Sequence, residues 1–513
     1  MSAPSTIGEL LRQAAREDPD ADAFRYRDEC LRYRDWDTLA DRLGAGLWAR
    51  GVRPGDVVAL LLPSTPLYLV AYLAAARLGA VTAGINVRYR RTEVAHVLAR
   101  ASARLLLGVA RWHDADFRTM VEALDPNTER VWLEAEEITT STARSVERVA
   151  GGAAPAPDVD VSPEAAAAIV FTSGTTGVPK GAWYAHRSLL ALAEIEARRH
   201  AGRQAAPLHL AAGLSFAHVG SMARIAVQIG THGASLIHDA FDPVAVLEAI
   251  ERERLGNLGA IPTQAIMLLD HPDRGRYNLS SLRNVLLGGA PSSPELIRRV
   301  QTELGAQVSV RYSSTEVGIA TASLPDDPPE VLATTVGKPT AGVELRITGD
   351  EGLPVATGEI GGVEVRSPAT MRGYWHDADA TAAAVAPGGW IRTGDLGFVD
   401  GAGYLHLRGR RSEMFIRGGY NVYPGEIEDL LATHRKVARA AVVGLPDATL
   451  GEAGWAFVVA RDPRDPPTLA ELRAFVGTEL ASFKRPDGLT ILPDMPVTAM
   501  FKVDKEALRR LGR

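Results

Sequence analysis

Short apolar runs alternating with amphipathic stretches restrict what this chain can fold into more than any other feature. "VVALLLP", "ARLLLGVA", "AAIVFTSG", "GASLIHD", "LGNLGAIP" and "LRNVLLGGAP" each read as a strand. Between them lie helical patterns such as "DPVAVLEAIERER" and "SPELIRRVQTEL". Strands alternating with helices imply α/β layers with largely parallel sheets. At 513 residues the chain is too long for one core and should divide into two or more domains.

The texture changes twice. Near Gly337, "GVELRITGDEGLPVATGEIGGVEVRSP" and "GFVDGAGYLHLRGRR" read as short strands joined by glycine turns, a β-rich subdomain. After Arg411, "YPGEIEDLLATH", "VARAAVVGLPD", "AGWAFVVARD" and "LAELRAFVGTEL" read as a compact α+β unit. The expected division is a large N-terminal domain over residues 1–411 and a small C-terminal domain over 412–513, with the linker around Gly409 to Ser412. The Ala/Pro/Ser/Thr-rich stretch ending near Pro163 reads as a connecting loop.

The most membrane-like segment, Pro66 to Ile85, is interrupted by Arg77 and Gly79. Val57 to Leu62 as a buried strand, Ser64 or Thr65 as an N-cap, Pro66 as the first helical residue and Gly79 as the stop account for it better than a membrane span. The N-terminal "MSAPSTIGELLRQAARED" mixes charges early and is not a secretory signal. Cys30 is the single cysteine, which excludes an intrachain disulfide and a cysteine metal cluster and favours a reducing compartment. The expected location is the cytoplasm. Hydrophobic residues at 46% against 23% charged ones exclude a disordered or fibrous chain. The net charge of −6 supplies no general attraction to nucleic acid or anionic lipid, so neither is expected as a partner.

The stretch "AAIVFTSGTTGVPKG" ends a strand in hydroxyls, glycines and one lysine. Glycines let a chain turn tightly and present successive N–H groups to an anion; hydroxyls add donors and Lys180 adds positive charge. A polyphosphate is the expected guest, although the spacing differs from the common G-x-x-x-x-G-K-[ST] loop.

"FTSGTTGVPKG" resembles the signature loop of the adenylate-forming enzymes: acyl-CoA synthetases, adenylation domains of peptide synthetases, and luciferases. Further motifs of that family follow in its order: "LLGGAP" at 286–291, "RYSSTEVG" at 311–318, "WIRTGDLG" at 390–397, "GRRSEMFIRGGYNVYPGEIE" at 409–428 and "PVTAMFKVDK" at 496–505. The resemblance is greatest to acyl-CoA synthetases and implies a small domain that rotates about the linker. It also implies a two-step reaction. A carboxylate attacks the α-phosphate of ATP to give an acyl-adenylate and pyrophosphate, and a thiol, commonly coenzyme A, then displaces AMP.

The resemblance implies the following site. Thr172, Ser173, Gly174, Thr175, Thr176, Gly177 and Lys180 would wrap the β- and γ-phosphates. Glu316 would hold Mg²⁺, and Thr315 would contact the α-phosphate. Gly288, Gly289, Ala290 and Pro291, with Arg311, Tyr312, Ser313 and Ser314, would form the adenine site, the Tyr312 ring offering a stacking face. Asp395 would accept both ribose hydroxyls, with Arg410 beside it. Lys502 is the implied catalytic lysine, with Lys505 the fallback. Arg417 to Asn421, with Gly418 and Gly419, would face the thiol channel, where a narrow passage needs backbone without side chains.

Three residues depart from the family pattern: Phe501 replaces the glycine before the lysine, Ser313 replaces the glycine after the tyrosine, and Ser412 stands where the hinge usually has Asp or Lys. His218 matches an aromatic or histidine gate beside the substrate carboxylate. No acid lies between Ala211 and Val227, which disfavours an amino-acid substrate. Phe216, Val219, Gly259, Ala260, Ile261 and Ala290 would line a mostly apolar pocket for a small-molecule carboxylic acid with an aliphatic or aromatic tail. Arg224 is expected on the helix surface; pointing inward, it would pair with a second acidic group. The main expectation is a carboxylic acid–CoA ligase. The alternative acceptors are a carrier-protein thiol, an amine, or nitrite in nitrogen–nitrogen bond formation.

Overall fold

The computed structural model describes residues 4–124, 128–172, 179–200, 208–212, 215–290, 292–324, 327–498 and 502–512. Its largest sheet has seven strands in the order Gly373–Tyr374, Gly181–Ala185, Ala166–Phe171, Val81–Gly84, Val57–Leu61, Leu105–Val109 and Glu129–Leu133. The last five of these run parallel, as their apolar runs and intervening helices require. Val57–Leu61 and Leu105–Val109 are buried at every residue, so neither strand has a polar face to present to water.

The segment that resembles a membrane span is the helix Pro66–Arg77, capped by Thr65 and buried along its whole length up to Arg77. An apolar surface on all sides is satisfied here by protein, not lipid. No helix among the described residues is long and apolar enough to cross a membrane. Gly79 follows with φ +64°, a conformation that ends the helix without steric penalty.

A second sheet of five strands, Asn257–Ala260, Asn284–Gly288, Gln307–Ser314, Gly318–Ala322 and Lys338–Pro339, carries a separate apolar core. Its first three strands are parallel; helix Pro262–Leu269 lies between the first and second and helix Pro294–Glu303 between the second and third, each with proline in the first turn, and the Ser293 side chain caps the latter. A four-stranded sheet brings Leu208–Ala212 and Ala234–His238 beside the N-terminal hairpin Asp22–Tyr26/Glu29–Arg32. The glycine-rich region after Gly337 forms an antiparallel sheet of Glu344–Thr348, Gly361–Arg366, Trp390–Val399, Val385–Ala386 and Leu405–Arg410.

Every strand of the remaining five-stranded sheet lies beyond Arg411: Phe415–Arg417, Tyr420–Val422, Val437–Asp447, Gly451–Ala460 and Gly488–Leu492. Helices Pro424–Ala432 and Leu469–Glu479 pack their apolar residues against it around Phe415, Val442 and Val458. The architecture is thus mixed α/β, with a large N-terminal region and a smaller C-terminal one.

Candidate active site

The strands Ala166–Phe171 and Gly181–Ala185 form an antiparallel pair that opens into the glycine- and hydroxyl-rich loop. At its neck the Thr172 amide donates to the Lys180 carbonyl at 2.9 Å, and the Lys180 amide to Thr172 Oγ1 at 3.4 Å. Ser173, Gly174, Thr175, Thr176 and Gly177 lie outside the described residues, as does Pro291. Gly181 is needed for packing: a Cβ there would stand 2.7 Å from Ile169 Cγ2 and against the Phe171 ring.

Beyond the neck, the Lys180 ammonium sits 5.3 Å from the Tyr374 ring centroid, and the Tyr374 hydroxyl donates to Glu316 Oε1 at 3.0 Å. The loop lysine and Glu316 therefore share one wall, joined by a tyrosine that sequence reasoning missed. Tyr374 is 58 positions from Glu316 and carries no local signal. Below them the Tyr184 hydroxyl donates to the Thr315 carbonyl, fixing the turn that presents Glu316.

Strand Gln307–Ser314 supplies the next wall. Its ladder slips between Tyr312 and Ser313, a bulge that re-aims the strand end where the family glycine is replaced. Tyr312 is buried and its hydroxyl donates to Asp395 Oδ2; Arg410, facing Asp395 across the ladder, pairs with Oδ1 at 3.1 Å. Asp395 is buried, which pushes its carboxyl pKa up, and Arg410 counters that shift. Each carboxylate oxygen retains a second lone pair for a ligand hydroxyl. Gly289 has φ +80°, which brings the chain of Gly288 to Ala290 around tightly beside Ile261. Arg311, one residue before Tyr312, points to the opposite side of the strand and pairs with Glu196 at 2.7 Å.

His218 caps the helix Val219–Gly230: its Nδ1 accepts from the Gly220 amide at 3.2 Å. Burial, with the Lys502 charge nearby, pushes its pKa down to about 4. A neutral ring that accepts at Nδ1 carries its proton on Nε2, leaving that N–H as the donor.

Lys502 stands in the short hairpin closed by Thr498 and Lys502, whose Thr498 amide donates to the Lys502 carbonyl at 2.7 Å. Burial and the Arg410 charge lower its pKa, while Asp395, Glu316 and Glu413 act in the opposite direction. Lys502 of the C-terminal region thus shares one charge cluster with Glu316, Asp395, Arg410 and His218 of the N-terminal region. Phe501 lies outside the described residues. Lys505 is held elsewhere: burial opposes its charge, but Glu428 at 2.9 Å and Glu413 at 2.7 Å raise its pKa.

Gly418 and Gly419 form the exposed two-residue turn between Phe415–Arg417 and Tyr420–Val422, with φ +56° and +85°. The turn itself demands them, since both positions need positive φ; a Cβ on Gly419 would meet nothing within 4 Å. Arg417 anchors the turn through two bonds to Asp487 at 2.8 and 2.6 Å.

Lys180 and Glu316 on one wall, the Tyr312–Asp395–Arg410 group on the next, and Lys502 from the C-terminal region thus gather cations and carboxylates from separate segments into one neighbourhood. The profile of the AMP-binding enzyme family matches residues 11–375, and that of the AMP-binding enzyme C-terminal domain matches 426–502. The chain is 38% identical to a methyl-dioxo-octahydroindenyl-propanoyl:CoA ligase of Mycobacterium tuberculosis, over 99% of this chain and 98% of that protein. It is 34% identical to a feruloyl-CoA synthase of an Amycolatopsis species, over 98% of each. Among solved structures, the amide bond synthetase McbA of Marinactinospora thermotolerans superposes with a TM-score of 0.86 at 31% identity, covering 99% of this chain and 100% of that one. ATP-bound MatB of Rhodopseudomonas palustris superposes with a TM-score of 0.87 at 28% identity over 98% of each chain. Family profile, relatives and fold agree: the chain belongs to the AMP-binding enzymes, the adenylate-forming superfamily.

Proposed function

We propose that this enzyme is an ATP-dependent carboxylic acid–CoA ligase, built as an ATP- and acid-binding domain of residues 1–411 and a mobile domain of 412–513. The approach of Lys502 to Glu316, Asp395 and His218 carries the reading. The acid oxygen would attack the α-phosphorus in line, and pyrophosphate would leave with its bridging oxygen. Carboxylate and triphosphate repel each other, so positioning and charge neutralisation are the main work of the protein.

Lys180 and the Thr172 loop would hold the β- and γ-phosphates, Thr315 the α-phosphate, and Asp395, fixed by Tyr312 and Arg410, the ribose. Lys502 would bridge the acid and the transferring group, and the His218 Nε2–H would donate to the acid. Glu316 fits Mg²⁺: one oriented carboxylate suffices for an ion that keeps several waters and takes phosphate oxygens. Bound there, Mg²⁺ would neutralise phosphate charge. CoA is the acceptor that the named CoA ligases support, and the feruloyl and dioxo-octahydroindenyl-propanoyl names support a ring-bearing acid. The amide bond synthetase at 31% identity keeps an amine acceptor, or a carrier-protein thiol, as the second reading. Cysteine usage supports a cytoplasmic location.

Pyrophosphate and AMP release, measured across ring and aliphatic acids with CoA, an amine or neither, tests the reading. Lys502→Ala is expected to lower acid-dependent pyrophosphate release by about 10²–10³ while ATP binding persists. Undiminished release would remove Lys502 from the mechanism; AMP release that needs an amine rather than CoA would select the second reading.

A further inference from the structure

Lys505 begins the last helix, Lys505–Leu511, with only Val503 and Asp504 between it and Lys502. Its ammonium lies 2.7 Å from Glu413 Oε2 and 2.9 Å from Glu428 Oε1, and all three side chains are largely buried. Glu428 is a fixed post. It stands on helix Pro424–Ala432, and its Oε1 also accepts from the Val442 amide of strand Val437–Asp447 at 2.7 Å. Glu413 lies one residue beyond Ser412, in a turn whose Glu413 and Met414 amides donate to the Arg410 carbonyl at 3.0 and 3.1 Å. Arg410 in turn pairs with Asp395. A bonded path therefore runs from Asp395 through Arg410 and Glu413 to Lys505, and from there along two residues to Lys502.

The segment between the two lysines has little slack. The Asp504 amide donates to the Pro496 carbonyl at 2.9 Å, Val503 pairs with Val497, and Asp504 Oδ1 caps the helix by accepting from the Ala507 amide at 2.9 Å. Leu508 of the same helix is buried in a cluster with Val443, Phe457 and Met495. Apolar burial is non-directional, so it seats the helix without specifying where the helix begins. Two charge-assisted bonds to carboxylates on different elements do specify it. Without the lysine, Glu413 and Glu428 would face each other with no cation between them.

We propose that Lys505 is a positioning residue for adenylation: its bonds to Glu413 and Glu428 fix the start of the last helix and thereby place the Lys502 ammonium against the acid and the α-phosphate. This rests on the ligase reading, in which Lys502 serves the first half-reaction. Lys505, engaged by two carboxylates, acts through Lys502 and not at the reacting atoms. A displacement of about 1 Å at Lys502 would lower the rate by about 10²-fold, because the donor must meet charge that develops at a defined point.

The test uses whichever acid wild type activates fastest in the panel of ring and aliphatic acids. Lys505→Met should lower kcat for acid-dependent pyrophosphate release about 10- to 100-fold and change KM for ATP less than about threefold, with Lys505→Arg nearer wild type. Thioester formation from the chemically prepared acyl-adenylate should stay within about threefold of wild type. In a Lys502→Ala background, Lys505→Met should lower release no further, because nothing is left for it to position. An ATP-induced thermal shift checks folding, and Lys505→Gln replaces the methionine variant should that one not fold. Undiminished release in Lys505→Met, an equal fall in both half-reactions, or a further loss in the Lys502→Ala background overturns the proposal alone. A wild type that releases pyrophosphate with no acid of the panel, or releases it without any acid, overturns the ligase reading itself.

Discussion

His186 opens the helix that follows the glycine-rich hairpin, fully buried, with neither ring nitrogen hydrogen-bonded among the described residues. Burial pushes its pKa down to about 4, from an ordinary value of 6.5. The folded chain therefore keeps it neutral while the unfolded chain takes up a proton, so its contribution is complete above pH 6.5 and is lost as pH falls towards 4. At pH 5 the loss is about 2 kcal/mol. His186→Leu should narrow the gap between melting temperatures at pH 7 and pH 5; an unchanged gap would mean that the ring is protonated in the fold. Asp395 makes a second residue-scale point. Asp395→Ala would leave the buried Tyr312 hydroxyl and the Arg410 guanidinium facing a void, a defect of about 1–3 kcal/mol beyond any lost ribose contact. Asp395→Asn, whose one oxygen can still accept from Arg410 while its NH2 donates to the Tyr312 hydroxyl oxygen, should weaken ATP binding less than the alanine variant in calorimetric titration.

At the scale of single elements, the period-two geometry of a strand sorts functions. Tyr312 and Arg311 are neighbours in sequence, yet one faces Asp395 and the other Glu196, because successive side chains leave a strand on opposite sides. The hairpin at Gly418 and Gly419 is a comparable case of geometry dictating residue type. Gly419→Ala must force an L-residue to φ +85° at a cost of about 1–2 kcal/mol, whereas Gly419→Asn tolerates the conformation better. With the turn exposed and proposed to serve the thiol step, the alanine variant should retain pyrophosphate release and slow thioester formation, with the asparagine variant closer to wild type. A parallel fall in both half-reactions would show that the turn serves the fold generally.

For the molecule as a whole, the two regions meet where strand Leu405–Arg410 gives way to the C-terminal sheet, with Arg408 paired to Glu426 across the meeting point at 3.6 Å. Strand Leu405–Arg410 ends in Arg410, Arg411 is tied to Gly394 and Asp350, and Ser412 is exposed before the C-terminal sheet begins at Phe415. Lys502 of the C-terminal region shares a charge cluster with Glu316, Asp395 and Arg410 across this junction. The proposed use of Lys502 in one half-reaction and of the Gly418–Gly419 turn in the other would have the C-terminal region rotate between them. Ser412→Pro restricts φ at the junction and the conformation of Arg411 before it. It should lower the thioester-forming rate by about tenfold or more while leaving acid-dependent pyrophosphate release nearer wild type, read by single-turnover kinetics. Equal loss in both steps would argue against a hinge at this residue.

The sequence alone determined the order and type of the elements, because apolar runs, proline-led helices and caps are local features. It also identified the anion loop and Glu316, Asp395 and Lys502 as candidates, since their motifs are contiguous strings. Only the tertiary structure decided which of these meet, and with what partners. Tyr374 against Glu316, and Glu196 against Arg311, come from segments separated along the chain and brought together by strand order and side-chain direction. No local pattern encodes such a meeting, because the free energy that assembles it resides in the burial of the strands and helices behind each residue rather than in the residues themselves.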